Sequence, residues 1–397
     1  MFNPYAPQFH ADPYPIFERL RAQEPIHKSL FQTWIVTSYA YADKILKDPR
    51  FIVDNLPARL VDKAEKYREA SFIELSQILD SWLFFLNPPE HSRLRRAINP
   101  SFTSESIEAL RPYVESIVSD LLDCIVTGKP VDLMTNLADP LVASTTTRLL
   151  GLPDHEACQL SSWCFNTITI FDQPAPLEML LEQSVSMAQF RAYLEQLMAV
   201  IRHHPQPGLF SELLQQQPHS DLSDEEIIST LIVLAATAQE SSKGLISNGL
   251  LALLHHPSTI SQLRENPALI PSAVNELMRF DSPIQYVTRR AAQDVLFADQ
   301  WIRQGEYLVV YLGAANRDPA AFPEPDRLDF KRTNRNLGFG GGVHYCVGSF
   351  LAKLEMEIVL RALLERFSGL ELASDSLERS PTRLSRRLAS LPDLLRP

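Results

Sequence analysis

Hydrophobic residues along this chain recur mostly at intervals of three and four, the period of a helix with one buried face, and only in a few places alternate as a half-buried strand requires. Residues 13–23 and 39–46 carry the helical period and flank a run, Thr33-Trp34-Ile35-Val36-Thr37, that reads as a strand. Across 50–85 the periodicity is weak, and no element is predicted there. From 90 to 280 the helical pattern is almost continuous, broken at Gly151-Leu152-Pro153, Gln173-Pro174-Ala175-Pro176 and His204-Pro205-Gln206-Pro207-Gly208, where glycine and proline interrupt the backbone. Strand-like runs return at 286–288 and 307–312. The pattern predicts a mainly α protein with small β-sheets near the beginning and in the last third.

The longest predicted helix opens at Ser223, which forms a capping box with Glu226, and continues to His255-His256-Pro257. At ~1.5 Å per residue it would cross most of a domain of this size. Its apolar face is interrupted by Thr237-Ala238-Gln239-Glu240-Ser241, an acid and a hydroxyl where a core helix prefers Leu or Ala. For a helix not yet placed, a solvated edge is the simplest account of Glu240. Glu276 and Arg279 stand at i, i+3 in a later helical run, a spacing that by itself describes a surface ion pair of small worth. His91 and Arg95, at i, i+4, share one helical face; alone they fit a solvated basic face as well as an anion clamp.

Length and charge narrow the picture. The 397 residues could form two or three average domains, but no Gly/Ser linker, repeat or low-complexity tract divides them, so one domain over 1–397 is expected. The 48 acidic and 37 basic residues give −11, which disfavours a general nucleic-acid binder. Four cysteines without a disulfide-like pattern suit a reducing compartment. The start, Met1-Phe2-Asn3-Pro4-Tyr5-Ala6-Pro7, has no basic or apolar leader region, and the most apolar stretch, 231–238, is far shorter than the ~20 residues of a membrane span. A monomer in the cytoplasm, with no membrane or nucleic-acid partner, is the expectation.

The densest chemical signal is Phe339-Gly340-Gly341-Gly342-Val343-His344-Tyr345-Cys346-Val347-Gly348, a glycine-rich loop that opens into a helix and holds one cysteine. Unpaired N–H groups and the positive dipole end of a helix N-terminus favour the thiolate over the thiol, and a thiolate is a strong axial metal ligand. Gly340, Gly342 and Gly348 let the backbone approach a flat macrocycle closely. Zinc or iron–sulfur binding needs three or four clustered ligands, whereas Cys124, Cys158 and Cys164 lie far upstream at unrelated spacings. With Val343 and Tyr345 in place the glycines do not make a dinucleotide fingerprint, and no Gly-Lys-Ser/Thr follows for a P-loop. His344 and Cys346 are neighbours in one loop, unlike a protease pair assembled from distant segments.

This run, continued by Leu351-Ala352 and Glu355, resembles the heme-binding signature of the cytochrome P450 family, every fixed position of F-x-x-G-x-H-x-C-x-G being filled. The resemblance implies the P450 fold, with a long central helix over heme b and the cysteine loop beneath it, and Cys346 as axial ligand to the iron. It implies that His91, Arg95, Arg289 and His344 hold the heme propionates, with Arg290 able to replace Arg289 if the register slips by one. Phe339, Gly340, Gly348 and Ala238 would lie against the heme, and Glu240 and Ser241 would relay protons to iron-bound oxygen. Serine stands where the family usually has threonine, and Ala238 where it often has glycine. Glu276 and Arg279 match the family's E-x-x-R, with Arg327 in Pro325-Asp326-Arg327-Leu328 expected to complete a structural lock.

The activity implied is reductive activation of dioxygen at the heme and oxidation of an unreactive C–H bond. The two electrons would come from a ferredoxin or flavodoxin with an NAD(P)H-dependent reductase, since no flavin or iron–sulfur extension is fused to the chain; Arg93, Arg96 and Lys353 could offer a basic patch to such a donor. By family position the pocket is lined by residues near 82–85, 165–171, 234–238, 284–288 and 384–388, mainly apolar, which suggests a hydrophobic secondary metabolite: a terpenoid, polyketide or acyl compound. A heme isomerase or dehydratase, and a heme-dependent ligand sensor, are the alternatives. Neither needs the relay suggested by Glu240 and Ser241.

Overall fold

The computed structural model describes every residue except 1, 2, 5, 172–174, 375, 383 and 397. The chain separates into two compact units, one made of Met1–Ile52, Val118–Ala138 and Ser241–Pro397, the other of Val53–Ile117 and Asp139–Glu240.

All described strands belong to the first unit: β1 (Ile26–Lys28), β2 (Trp34–Val36), β3 (Phe51–Ile52), β4 (Pro130–Asp132), β5 (Tyr286–Ala291), β6 (Val295–Phe297), β7 (Gln300–Ile302), β8 (Tyr307–Tyr311), β9 (Gly369–Leu372) and β10 (Pro392–Arg396). They form a five-stranded sheet of order β1-β2-β8-β5-β3, a three-stranded sheet β4-β10-β9 and the hairpin β6-β7. Trp34, Ile35 and Val36 are all buried, as befits an inner strand covered on both faces. They pair in parallel with Leu308, Val309 and Val310, while β5 runs antiparallel to β8. The runs predicted at 33–37, 286–288 and 307–312 are thus the middle of this sheet.

The helix Tyr39–Lys47 is capped by Ser38, whose Oγ accepts from the Tyr41 N–H at 3.3 Å. Its apolar residues Ala42, Ile45 and Leu46 join Trp34, Val36, Ala291, Leu308, Val310 and Leu337 in one core cluster. Deeper in the unit, Ile270–Phe280 packs against Ser349–Arg366. A small apolar cavity lies between Leu250, Leu253, Ile260, Leu360 and Leu363 and receives Asp393 of β10.

In the second unit the described elements are helical. Two helices, Leu56–Tyr67 and Ser71–Asp80, occupy the stretch where none is predicted. Leu56, Leu60 and Ala64 recur every four residues on the buried face, and Asn55 caps the first helix by accepting from the Ala58 N–H at 3.1 Å. The predicted breaks at 151–153 and 204–208 separate Asp139–Leu150 from Ala157–Ile168 and Leu177–His203 from Leu209–Gln216, while Gln173 and Pro174 lie outside the described residues. The near-continuous helix predicted from 90 to 280 is also interrupted by β4 and by a short wide helix, Met134–Ala138.

The long helix is Asp224–Leu254, and its capping box is formed as predicted: Ser223 N–H donates to Glu226 Oε2 at 2.9 Å, and Glu226 N–H to Ser223 Oγ at 3.1 Å. Its residues through Glu240 belong to the second unit and those from Ser241 to the first. Among the described residues no helix is long and apolar enough to cross a membrane.

Candidate active site

The loop that carries Cys346 is shaped by two backbone constraints. Gly340 has φ +70°, the left-handed region that glycine enters without strain. Gly342 is also left-handed, and a β-carbon there would stand 2.0 Å from the Leu46 carbonyl oxygen. That glycine is therefore demanded by the turn itself and by the helix Tyr39–Lys47. From Gly342–His344, a single 3-10 turn, the chain passes through Tyr345 to Cys346, whose N–H donates to the Phe339 carbonyl at 3.0 Å. Gly348 caps the helix Ser349–Arg366, so the sulfur stands just ahead of a helix N-terminus. His344 and Cys346 are half-buried and Phe339 is buried.

Behind the loop, Arg279 donates from Nε and Nη2 to the two oxygens of Glu276 at 2.7 and 2.8 Å, both side chains being buried. The i, i+3 pair is a buried bidentate ion pair and not a surface one. Arg279 Nη1 also donates to the carbonyls of Asn316 and Pro325, at 2.8 and 2.9 Å, and Glu276 Oε1 accepts from the Asp329 N–H at 3.0 Å. The third arginine differs from expectation. Arg327 offers only its carbonyl to Arg279, its side chain being 67% exposed beside Glu324. Arg332 completes the cluster, donating from Nε to Glu276 Oε1 at 3.1 Å. The turn at 324–327 aims the Arg327 side chain outward and returns the chain inward five residues later, a path that local sequence does not reveal.

Arg289 sits on β5 with 5% of its surface exposed. Its Nη1 donates to the Thr288 carbonyl at 2.8 Å, and among the described residues no carboxylate lies within ion-pair distance. Burial alone pulls its pKa down to about 10. Ala291 on the same strand shares the core cluster with Leu46, so β5 and the cysteine loop rest on common support. Arg290, on the opposite face of the strand, is half-buried; the register keeps Arg289 as the inward cation.

Of the other predicted residues, His91, Arg95, Ala238 and Glu240 lie in the second unit and Ser241 in the first. His91 and Arg95 are on the helix Glu90–Ile98. His91 is 2% exposed, and burial, reinforced by the Arg95 charge, lowers its pKa to about 4, so the imidazole is neutral at physiological pH. Arg95 Nε donates to Asn99 Oδ1 at 2.9 Å, which fixes the guanidinium. On the long helix Glu240 is 4% exposed, and the solvated edge that explains it most simply from sequence is not where it lies. Ala238 and Ser241 are half-buried. Gln239 beside them accepts from Ser161 Oγ at 2.9 Å. Of the expected basic patch, Arg93 is engaged with Glu226, Lys353 is half-buried and Arg96 is exposed.

These residues fit a heme. Arg289 is a desolvated cation that calls for an anion, as a propionate would supply. At Gly348 φ is −82° and, its chain neighbours aside, no atom lies within 4 Å of an added β-carbon, so the chain leaves open space there that a flat group against the loop can use. Among the described residues no set of three or more His, Cys, Asp or Glu side chains could hold a bare metal ion. Arg332 and Leu46 are the supporting residues that sequence reasoning misses; both lie outside any recognisable motif.

Comparison with known proteins agrees. The family model "Cytochrome P450" matches residues 182–393. The biotin biosynthesis cytochrome P450 of Bacillus subtilis (strain 168) is 37% identical over 389 residues, 97% of this chain and 96% of that one. The polyketide biosynthesis cytochrome P450 PksS of the same organism is 32% identical over 404 residues, covering 99% and 98% of the two chains. Among solved structures, P450BioI in complex with hexadec-9Z-enoic acid ligated acyl carrier protein superimposes with a TM-score of 0.91 at 36% identity, covering 98% of this chain and 100% of that one. A cysteine ahead of a helix N-terminus, a buried E-x-x-R lock and relatives matched over nearly the full length carry one conclusion: this chain belongs to the cytochrome P450 family and is a P450 monooxygenase.

Proposed function

We propose that this enzyme oxidises a long hydrophobic substrate of acyl or polyketide type, using O2 and two electrons delivered by a ferredoxin or flavodoxin with its NAD(P)H-dependent reductase. The biosynthetic roles in the names of its relatives, and the acyl chain on a carrier protein bound by one of them, support that substrate class. The chain acts as a single heme domain. Cys346 ligates heme b, Arg289, His344, His91 and Arg95 hold its propionates, and Phe339, Gly340, Gly348 and Ala238 lie against it. When bound, the heme supplies reductive activation of dioxygen, and in this family the thiolate ligand favours O–O cleavage.

The chain's own residues supply the rest. His91, kept neutral, donates an N–H to an anion at no cost of adding a second charge beside Arg95. Glu240, buried in the long helix, takes up protons at its carboxylate, and Ser241 Oγ serves the same relay, the protons travelling between them through water. Val343 and Phe350, 54% and 46% exposed on either side of the cysteine, offer the electron donor an apolar contact, and the exposed Arg335 nearby offers it a charge.

The observation that carries the reading is the desolvated Arg289 in the unit that presents Cys346. It is tested by loading the protein with hemin, recording the reduced carbon monoxide complex, and screening free and carrier-linked acyl chains by Soret shift and product formation with surrogate redox partners. A colourless protein, or a histidine-type spectrum, overturns the heme-thiolate reading; oxidation of terpenoids but not acyl chains overturns the substrate class.

A further inference from the structure

We infer that Ser161 and Gln239 are positioning residues for the proton relay: the hydrogen bond between them fixes how the long helix is turned where it presents Glu240. The inference rests on the relay assigned above to Glu240 and Ser241, and deepens it. Ser161 lies half-buried on the helix Ala157–Ile168, and Gln239 is 3% exposed on Asp224–Leu254. Ser161 Oγ donates to Gln239 Oε1 at 2.9 Å. Both residues belong to the second unit, as does Glu240.

Successive side chains on a helix stand about 100° apart around its axis. Drawing Gln239 toward Ala157–Ile168 therefore sets the direction in which the next residue, Glu240, carries its carboxylate. This turn needs an outside hold. Thr237 Oγ1 donates to the Val233 carbonyl, four residues back, at 2.7 Å, a bond of the kind that weakens and bends a helix. The helix that supplies the hold is itself anchored: Trp163 stacks on Phe190 with ring centroids 5.0 Å apart and planes at 14°, and Asn166 Nδ2 donates to Ser186 Oγ at 3.3 Å, both partners standing on Leu177–His203. A leucine at 239 would fill the same space; the amide adds a directional bond to a second helix, at the residue before the relay acid.

The test uses the heme-loaded protein and two readouts. In hydrogen exchange of the amides of 237–241, Ser161→Ala and Gln239→Leu should each quicken exchange about three- to fivefold, as loss of one neutral hydrogen bond does. Ser161→Thr keeps the hydroxyl and should stay within about twofold of the parent. With a surrogate donor and hexadecanoic acid as probe, Ser161→Ala and Gln239→Leu should yield about three- to fivefold less product per NADPH and more peroxide, while heme content, the thiolate-type spectrum and the probe's half-saturation by Soret shift stay unchanged. The double variant should lose no more than either single one, because both remove the same bond. Unchanged exchange, additive losses, or equal damage in Ser161→Thr overturn the inference. Full coupling in Glu240→Ala would instead overturn the relay beneath it, and absence of product from the unaltered protein the acyl reading.

Discussion

Arg332 Nε meets Glu276 Oε1 at 3.1 Å, and through that bond the last stretch of irregular chain before the cysteine loop is tied to the helix Ile270–Phe280. Glu276 is nearly inaccessible and already shares both oxygens with Arg279, so each partner removed leaves buried charge less well matched. Breaking a buried pair in this way costs about 3–5 kcal/mol. Arg279→Met should therefore lower the denaturation midpoint most and Arg332→Met next. Arg327→Met should change stability by no more than about 0.5 kcal/mol, as exposed substitutions usually do. Urea titrations of the three variants would rank them; an Arg327 variant as damaged as the Arg332 variant would return the lock to the arrangement expected from sequence.

Arg289 predicts two effects of opposite sign. In the heme-free protein no carboxylate among the described residues pairs with its buried guanidinium, and a pKa drawn down to about 10 corresponds to a penalty on the order of 3 kcal/mol in the folded state. Arg289→Met should then leave the heme-free protein as stable as the parent or more so. Heme affinity should fall about tenfold or more, because a propionate loses a charge-assisted bond. Thermal melts without heme and a heme-transfer titration separate the two. Equal destabilisation in both states would mean that the arginine serves packing alone.

What could be read from sequence, and what could not, follows from whether a residue's role is set by its neighbours in the chain. The Ser223–Glu226 capping box is a contact within one turn, so the start of the long helix was legible to the residue. Cys346 was legible because every position around it is constrained at once. The helices over 56–80 carried a period-four pattern at Leu56, Leu60 and Ala64, but short length and an intervening left-handed Arg68 diluted it. Strands of two or three residues, such as Phe51–Ile52 and Pro130–Asp132, are too brief to alternate. The burial of Glu240, the outward turn of Arg327 and the inward return of Arg332 depend on distant segments, and no local pattern encodes them.

Glu240 and Ser241 predict a failure of coupling with binding intact. Glu240→Ala should retain heme and the thiolate-type spectrum while diverting reducing equivalents to hydrogen peroxide. Product formed per NADPH should fall about tenfold, within the usual range for loss of a general acid–base group. Ser241→Thr keeps the hydroxyl and adds a methyl, and should leave coupling within about twofold; Ser241→Ala should uncouple as Glu240→Ala does. The assay is NADPH consumption against product and peroxide with one surrogate donor. Full coupling in Glu240→Ala would remove the carboxylate from the relay.

Asp393 should make stability depend on pH in an unusual direction. Its side chain is buried among leucines, where Oδ1 accepts from the Glu371 N–H at 2.9 Å, and burial raises its pKa to about 6. An unfolded aspartate titrates near ~3.9, so between about pH 4 and 6 the folded state binds the extra proton. The carboxyl's contribution is most favourable below about pH 4 and is lost as pH rises through 6, leaving a penalty on the order of 3 kcal/mol at neutral pH. Asp393→Asn removes the charge while keeping a carbonyl oxygen for the Glu371 N–H. The variant should therefore be more stable than the parent at pH 7.5, with the difference shrinking steadily toward pH 5. Parallel urea titrations across that range would show it, and a constant difference would mean that the carboxyl remains ionised or neutral throughout.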